Sequence, residues 1–188
     1  MNLGLQGRFR QIWVLDFEYQ ELNGNHPVVH CVVAREVFSG QLIRQWLSGE
    51  VDTHCPIPLG KDVLYVAFFS TSELKSHLAL GWPLPSNVLD LYVEFRCLTN
   101  GLTLPAGANL LGALVYFGLT GIAYAEKNAM RELAIRGGPF NDAERIELID
   151  YCQSDVEATL ALLPHLMGQR DLDQALLRGR YMCAAARI

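Results

Sequence analysis

The sequence QIWVLDFEY, at residues 11–19, is the most strongly patterned stretch of this 188-residue chain. Four apolar residues run without a break from Ile12 to Leu15 and lead directly into Asp16 and Glu18. A short apolar run of this kind predicts a buried β-strand. Because residues two apart in a strand point to the same face, the carboxylates of Asp16 and Glu18 are expected to converge.

Two converging carboxylates repel each other and raise each other's pKa unless a cation lies between them. Mg²⁺ and Mn²⁺ are hard ions that prefer oxygen ligands, so Asp16 and Glu18 are candidate ligands of such an ion. A solvated strand end accounts for this pair equally well when the pair is considered alone.

Alternation of apolar residues and turn signals predicts further strands and helices after this first strand. Further strands are predicted over residues 27–38, 40–47, 62–69 and 87–91. Ser72 is the predicted N-cap of a helix after the fourth strand, and later helices are predicted over residues 109–117, 125–136, 142–167 and 172–188. This order predicts an α/β fold, with a mixed five-stranded sheet flanked by helices.

Other acidic residues lie at informative places in this pattern. Glu73 follows the fourth strand at the start of a helix, where an anion also stabilises the helix dipole, so a capping role competes with a catalytic one. Asp90 ends the fifth strand. Tyr151 and Asp155 are four residues apart on a predicted helix and so share a face, although a half-buried tyrosine beside an exposed aspartate fits the same spacing.

The composition of the chain limits the classes of protein to which it can belong. The chain is 51% hydrophobic with a formal net charge of −5, which predicts one globular domain and argues against tight, independent binding of duplex DNA. The five cysteines form no Cys-x-x-Cys pair, which favours a reducing cytoplasm. The longest apolar stretch, residues 110–125, is interrupted by glycines and short for a membrane span, so no membrane association is expected.

Taken in chain order, the carboxylate motifs resemble the three exonuclease motifs of the DEDD superfamily, in its tyrosine subgroup. The resemblance runs from about Trp13 to His165. It is strongest to the proofreading domains of phage-like family A DNA polymerases, and the segments that carry it are Leu64–Leu74, Val88–Leu91 and Asp150–Val156. The tail Leu177–Met182 resembles the segment that leads toward the polymerase domain in those enzymes.

This resemblance implies an RNase H-like fold and a two-metal-ion 3′–5′ exonuclease that acts on the 3′ end of single-stranded DNA. It implies a nuclease domain over residues 1–167 and a C-terminal helix over residues 168–188, a candidate linker toward a family A polymerase domain in cis. The implied location is the cytoplasm of a bacterial or phage-infected cell. The implied cofactors are two divalent cations, Mg²⁺ or Mn²⁺, spaced about 4 Å apart.

The resemblance also implies roles for individual residues. Asp16 would bridge both ions, Glu18 and Asp155 would complete the site that activates water, and Tyr151 would orient that water. Glu73 occupies the second-motif position, where the family normally has aspartate, and Asp90 is a supporting or alternative ligand. Candidate substrate-binding residues are Phe17, Tyr19, Asn109 and Leu110, with core or capping roles as their alternatives; Phe68 and Phe69 are assigned to the core.

Two other functions fit the same motifs. One is a 3′–5′ exoribonuclease resembling RNase D, because the contact that distinguishes RNA from DNA is made to a 2′-hydroxyl and has no signature in this sequence. The other is a catalytically weak domain that binds a strand or supports a polymerase, which the glutamate at position 73 and the acidic net charge motivate.

Overall fold

The computed structural model describes residue 5 and residues 7–21, 27–47, 54–119, 124–168 and 171–188, but not the side chains of residues 124–128. These described residues form five strands and six helices. The strands are β1 (Gln11–Gln20), β2 (Val28–Glu36), β3 (Leu42–Trp46), β4 (Val63–Ala67) and β5 (Val88–Asp90). The helices are α1 (Ser70–Ala79), α2 (Leu91–Leu98), α3 (Leu110–Tyr116), α4 (Tyr124–Arg136), α5 (Asp142–Met167) and α6 (Leu172–Ala185).

The strands form one mixed sheet in the order β3-β2-β1-β4-β5. β1 pairs antiparallel with β2, and β2 with β3, whereas β4 runs parallel to both β1 and β5. The sequence-based prediction of an α/β fold with a mixed five-stranded sheet flanked by helices is confirmed. The ladder between β1 and β4 ends at Val14 and Val66, so the last residues of β1 extend past β4.

Alternation along β1 divides the interior into two cores, one on each face of the sheet. Ile12 and Val14 pack into a core that includes Cys152 and Val156 of α5. Trp13, Leu15 and Phe17 pack into the opposite core with Leu74 of α1. Asp16 and Glu18 continue the first of these alternations, so β1 directs them toward the side of the sheet that α5 covers.

The turn between β4 and α1 places the start of the helix earlier than the sequence predicts. The helix begins at Ser70 and its N-cap is Phe69, so the expectation that Ser72 caps the helix is wrong. Phe69 has φ 74° and ψ 54°, a left-handed conformation that costs a non-glycine residue about 1–2 kcal/mol. The buried carboxylate of Asp90 holds this turn, because it accepts hydrogen bonds from the Ser70 backbone N–H (2.8 Å) and the Ser70 hydroxyl (2.7 Å).

The C-terminal helix α6 packs against β5 and α1. Gly179 makes the close approach possible, since a Cβ atom there would lie 1.9 Å from the Val88 carbonyl oxygen. Arg178 donates two hydrogen bonds of 2.7 Å to the buried Glu94 carboxylate of α2. The assignment of residues 168–188 as a linker toward a polymerase domain stays a prediction. Within the described ranges, no helix is both long enough and apolar enough to cross a membrane.

Candidate active site

The end of β1 brings Asp16 and Glu18 together beside α5. Ligand atoms of Asp16, Glu18 and Cys152 all lie within 4.8 Å of one another. The Cys152 thiol donates a hydrogen bond of 3.2 Å to the Asp16 carbonyl oxygen, which joins α5 to the backbone of β1 at this point. The expected convergence of the two carboxylates follows from the i, i+2 spacing along the strand.

Glu73, on α1, lies close to Asp16 and Glu18 at the end of β1. It is 5% exposed, and the Phe17 backbone N–H donates a hydrogen bond to its carboxylate. Burial raises the pKa of Glu73 well above its usual value, and the charges of Asp16 and Glu18 raise it further. The Oε2 atom of Glu73 is buried and has no hydrogen-bond partner among the residues that the structure describes.

Tyr151 and Asp155 face this cluster from α5. The Tyr151 hydroxyl and the Asp155 carboxylate are hydrogen-bonded to each other, as their shared helical face allows. Burial raises the pKa of the Tyr151 phenol above its usual value, and the Asp155 charge raises it further. Glu18 and Asp16 also act on this phenol electrostatically, which places the pair next to the β1 carboxylates.

Asp90 has a different environment from these four acidic residues. Its carboxylate is 2% exposed and accepts hydrogen bonds from Ser70, from the Phe69 N–H (3.3 Å) and from the Val93 N–H (3.1 Å). It therefore caps α2 and fixes the start of α1 at once. These contacts favour a structural role, and Glu73 is the better candidate for the second-motif carboxylate.

The donor set fits a hard divalent cation. The Asp16 and Glu18 carboxylates lie together on β1, and the buried Glu73, whose pKa their charges raise, retains an oxygen with no hydrogen-bond partner among the described residues. Like charges at such distances raise each other's pKa, and a cation among them removes that penalty. Carboxylate oxygens are the ligands that Mg²⁺ and Mn²⁺ prefer.

The four candidate substrate-binding residues lie in different surroundings. Phe17 is 3% exposed and packs against His77 and Trp82, and Leu110 is buried in the α5-side core, so both surroundings favour a packing role. Asn109 caps α3 by accepting a hydrogen bond from the Gly112 N–H. Tyr19 is half-buried, and its hydroxyl is hydrogen-bonded to Ser72 beside Glu73.

Two features of the site are not predicted from the sequence. Phe69 is 47% exposed, so its assignment to the core is wrong; its ring lies edge-on to Tyr92, with the ring centroids 5.2 Å apart. Cys152 contacts the carboxylate cluster, although its spacing of four residues from Leu148 and Val156 indicates only a buried helix face. Neither residue carries a local signal for its position, because both positions depend on tertiary packing.

Comparison with known proteins gives likenesses to solved structures only. No protein-family model matches the chain, and no curated protein sequence matches it. Among solved structures, the chain is similar to the exonuclease (EXO) domain of Nibbler from Aedes aegypti, with 14% sequence identity and a TM-score of 0.48. The superposition covers 96% of this chain and 89% of that domain.

Proposed function

We propose that this chain is a metal-dependent 3′–5′ exonuclease that removes terminal nucleotides from single-stranded DNA, as a proofreading domain does. The observation that carries the proposal is that the Asp16 and Glu18 pair has an acidic neighbour on each side. The charges of this pair raise the pKa of the buried Glu73 of α1, and they also act on Tyr151, which is hydrogen-bonded to Asp155 of α5. A structural role does not account for burying Glu73 beside two carboxylates whose charges raise its pKa further.

The residues that would hold divalent cations are Asp16, Glu18, Glu73 and Asp155. Two bound cations would supply an activated water and neutralise the charge that develops on the phosphate and on the leaving 3′-oxygen. Neighbouring groups orient two of these carboxylates. The Phe17 N–H donates a hydrogen bond to Glu73, and Asp155 is hydrogen-bonded to Tyr151 on the same helix.

In this proposal the Tyr151 hydroxyl stays protonated and donates its one hydrogen bond to the Asp155 carboxylate. Its raised pKa keeps the phenol protonated at neutral pH, so the hydroxyl is unsuited to act as a general base. The phenolic oxygen can then accept a hydrogen bond from an attacking water and so orient it, without taking its proton. The conservative variant Tyr151→Phe therefore removes the orientation and leaves the carboxylates in place.

The proposal is tested with a 5′-labelled single-stranded DNA oligonucleotide in Mg²⁺ or Mn²⁺. We expect stepwise shortening from the 3′ end, and we expect Asp155→Asn to slow it by at least about 100-fold, as the loss of a transition-state contact does. The matched control is Asp150→Asn on the same helix, because Asp150 is exposed and forms an ion pair with Arg44. This control is expected to retain wild-type activity.

Other outcomes identify the alternatives. Faster degradation of a matched RNA would contradict the choice of DNA and favour an exoribonuclease. Inactivity of the wild-type protein with both ions would contradict catalysis and favour a strand-binding or scaffold role. Gain of activity in Glu73→Asp, starting from a weakly active wild type, would show that the longer side chain limits the metal site.

A further inference from the structure

A cavity of about 710 Å³ lies beside the carboxylate cluster, between the end of β1, the first turns of α1 and the residues that follow α6. Two aromatic side chains, Tyr19 and Phe69, and two cationic ones, Lys75 and Arg187, line it. Its volume falls within the roughly 300–1,000 Å³ that small-molecule sites occupy. Glu21 also lines the cavity, so its charged side chains are two cations and one anion.

The cavity adjoins the carboxylate cluster through Tyr19 and Ser72. The Tyr19 hydroxyl is hydrogen-bonded to the Ser72 side chain, and Ser72 directly precedes Glu73 on α1. Among charged groups, Glu73 raises the pKa of Tyr19 most, after the larger effect of burial. Tyr19 and Ser72 therefore connect the lining of this cavity to Glu73.

Phe69 is the feature of the cavity that packing does not explain. It is the only non-glycine residue with positive φ among those the structure describes, and its ring remains 47% exposed. The Asp90 carboxylate holds its backbone N–H and that of Ser70, so the conformation is fixed by the surrounding structure. Strain that is held in place in this way is concentrated at binding and catalytic sites.

We propose, building on the exonuclease function proposed above, that this cavity binds a nucleotide of the single strand next to its reacting end. Its base stacks on Phe69, and its phosphate faces Lys75, with Arg187 as a second cation. An aromatic surface beside cations is the combination that binds single strands, because every base has a stacking face and every linkage a negative charge. In a chain with a net charge of −5, these cations offset the repulsion between the strand and the acidic protein.

Binding of a fluorescein-labelled tetrathymidylate, measured by anisotropy in EDTA, tests this site without hydrolysis. Phe69→Gly removes the ring, and glycine adopts the positive φ freely, so the fold is retained. We expect this variant to bind about tenfold more weakly, whereas Phe69→Trp keeps wild-type affinity. The matched control is Tyr116→Ala, which removes an aromatic ring of similar exposure (44%) from α3 and leaves binding unchanged.

The phosphate contact has its own measurement. Lys75→Ala is expected to reduce the slope of log Kd against log salt by about 0.7, the value for one contact with a single strand. Lys61→Ala, an exposed lysine outside the cavity lining, leaves the slope unchanged. Unchanged binding in Phe69→Gly, or an unchanged slope in Lys75→Ala, overturns the site. If binding follows the expectation but the wild type hydrolyses nothing with Mg²⁺ or Mn²⁺, the site stands and the nuclease proposal fails.

Discussion

Glu73 is buried next to the charges of Asp16 and Glu18, so its ionisation opposes folding when no cation is bound. Its pKa in the folded protein lies well above 4.5, the usual value, so the stability that its protonated form contributes is present at low pH and lost as pH rises. In EDTA, we expect the melting temperature to fall as pH rises from about 5 to 8. The melting temperature of Glu73→Gln is expected to fall less over the same pH range. Addition of Mg²⁺ is expected to restore the melting temperature of the wild type at high pH. Equal pH profiles for the two proteins in EDTA would contradict this account.

His77 gives a pH dependence of the opposite sign. Burial among aromatic rings lowers its pKa from 6.5 to about 4, and its Nδ1 atom lies 3.1 Å from the Pro83 carbonyl oxygen. The neutral ring contributes stability above pH 6.5, and this contribution, about 3 kcal/mol, is lost as pH falls toward 4. Urea unfolding of wild type and His77→Gln between pH 7 and 4 checks this, with a flatter profile expected for the variant. An NMR titration that places the His77 pKa near 6.5 would refute it.

Individual site residues differ in how far the sequence predicts them. Asp16 with Glu18, and Tyr151 with Asp155, follow from the periods of a strand and a helix, which act over a few residues. The burial of Glu73 has no such source, because it depends on α1 crossing the end of β1. The inward direction of Phe17 does follow from alternation, since it lies between two residues that face the other side.

At the level of elements, the contact between α6 and β5 depends on one missing side chain. A Cβ at position 179 would lie 1.9 Å from the Val88 carbonyl oxygen, and a backbone oxygen cannot move aside as a flexible side chain can. We expect Gly179→Ala to lower the free energy of unfolding by about 1–3 kcal/mol, although alanine favours helices. Arg180→Ala, on the exposed side of the same helix, is the control and should change stability little. A Gly179→Ala protein as stable as the control would show that α6 is not held this closely.

Element boundaries show where local sequence signals end. Helix α5 runs over Asp142–Met167 as predicted, because Asn141 and Glu144 form a capping box that local sequence encodes. Helix α1 begins two residues before the predicted cap, because the group that satisfies its first N–H is Asp90, twenty residues after Ser70. A cap supplied by another strand leaves no mark in the sequence around the helix it caps.

For the whole molecule, the net charge of −5 limits how it holds nucleic acid. Few phosphate contacts are available, so binding of a single strand should depend weakly on salt, with a log–log slope near −0.7 to −1.4 for one or two contacts. A blunt duplex should bind more weakly than the single strand, because its end does not enter the cluster unpaired. Anisotropy titrations of both from 50 to 200 mM salt measure this. A steep dependence of log Kd on log salt, together with tighter binding of the duplex, would instead indicate a basic face that binds duplex phosphates.

The mixed five-stranded sheet was predictable from the succession of strands and helices along the chain, but the order β3-β2-β1-β4-β5 within it was not predicted. The side-chain contacts between distant elements were not predictable in this way. The hydrogen bond from the Cys152 thiol to the Asp16 carbonyl oxygen joins residues 136 positions apart. The hydrogen bond from the Ser70 N–H to the Asp90 carboxylate joins residues 20 positions apart. Such contacts are set by packing of the complete chain.

The carboxylate cluster draws its members from residues 16, 18, 73 and 155, so most of the chain separates the first from the last. A polypeptide still being synthesised, in which α5 has not yet been made, therefore lacks part of the proposed set of metal ligands. Contacts over such separations form late and slowly, because loop closure must precede them. The proposed hydrolytic activity would thus report completion of folding, and an unfinished copy would be harmless to the nucleic acid around it.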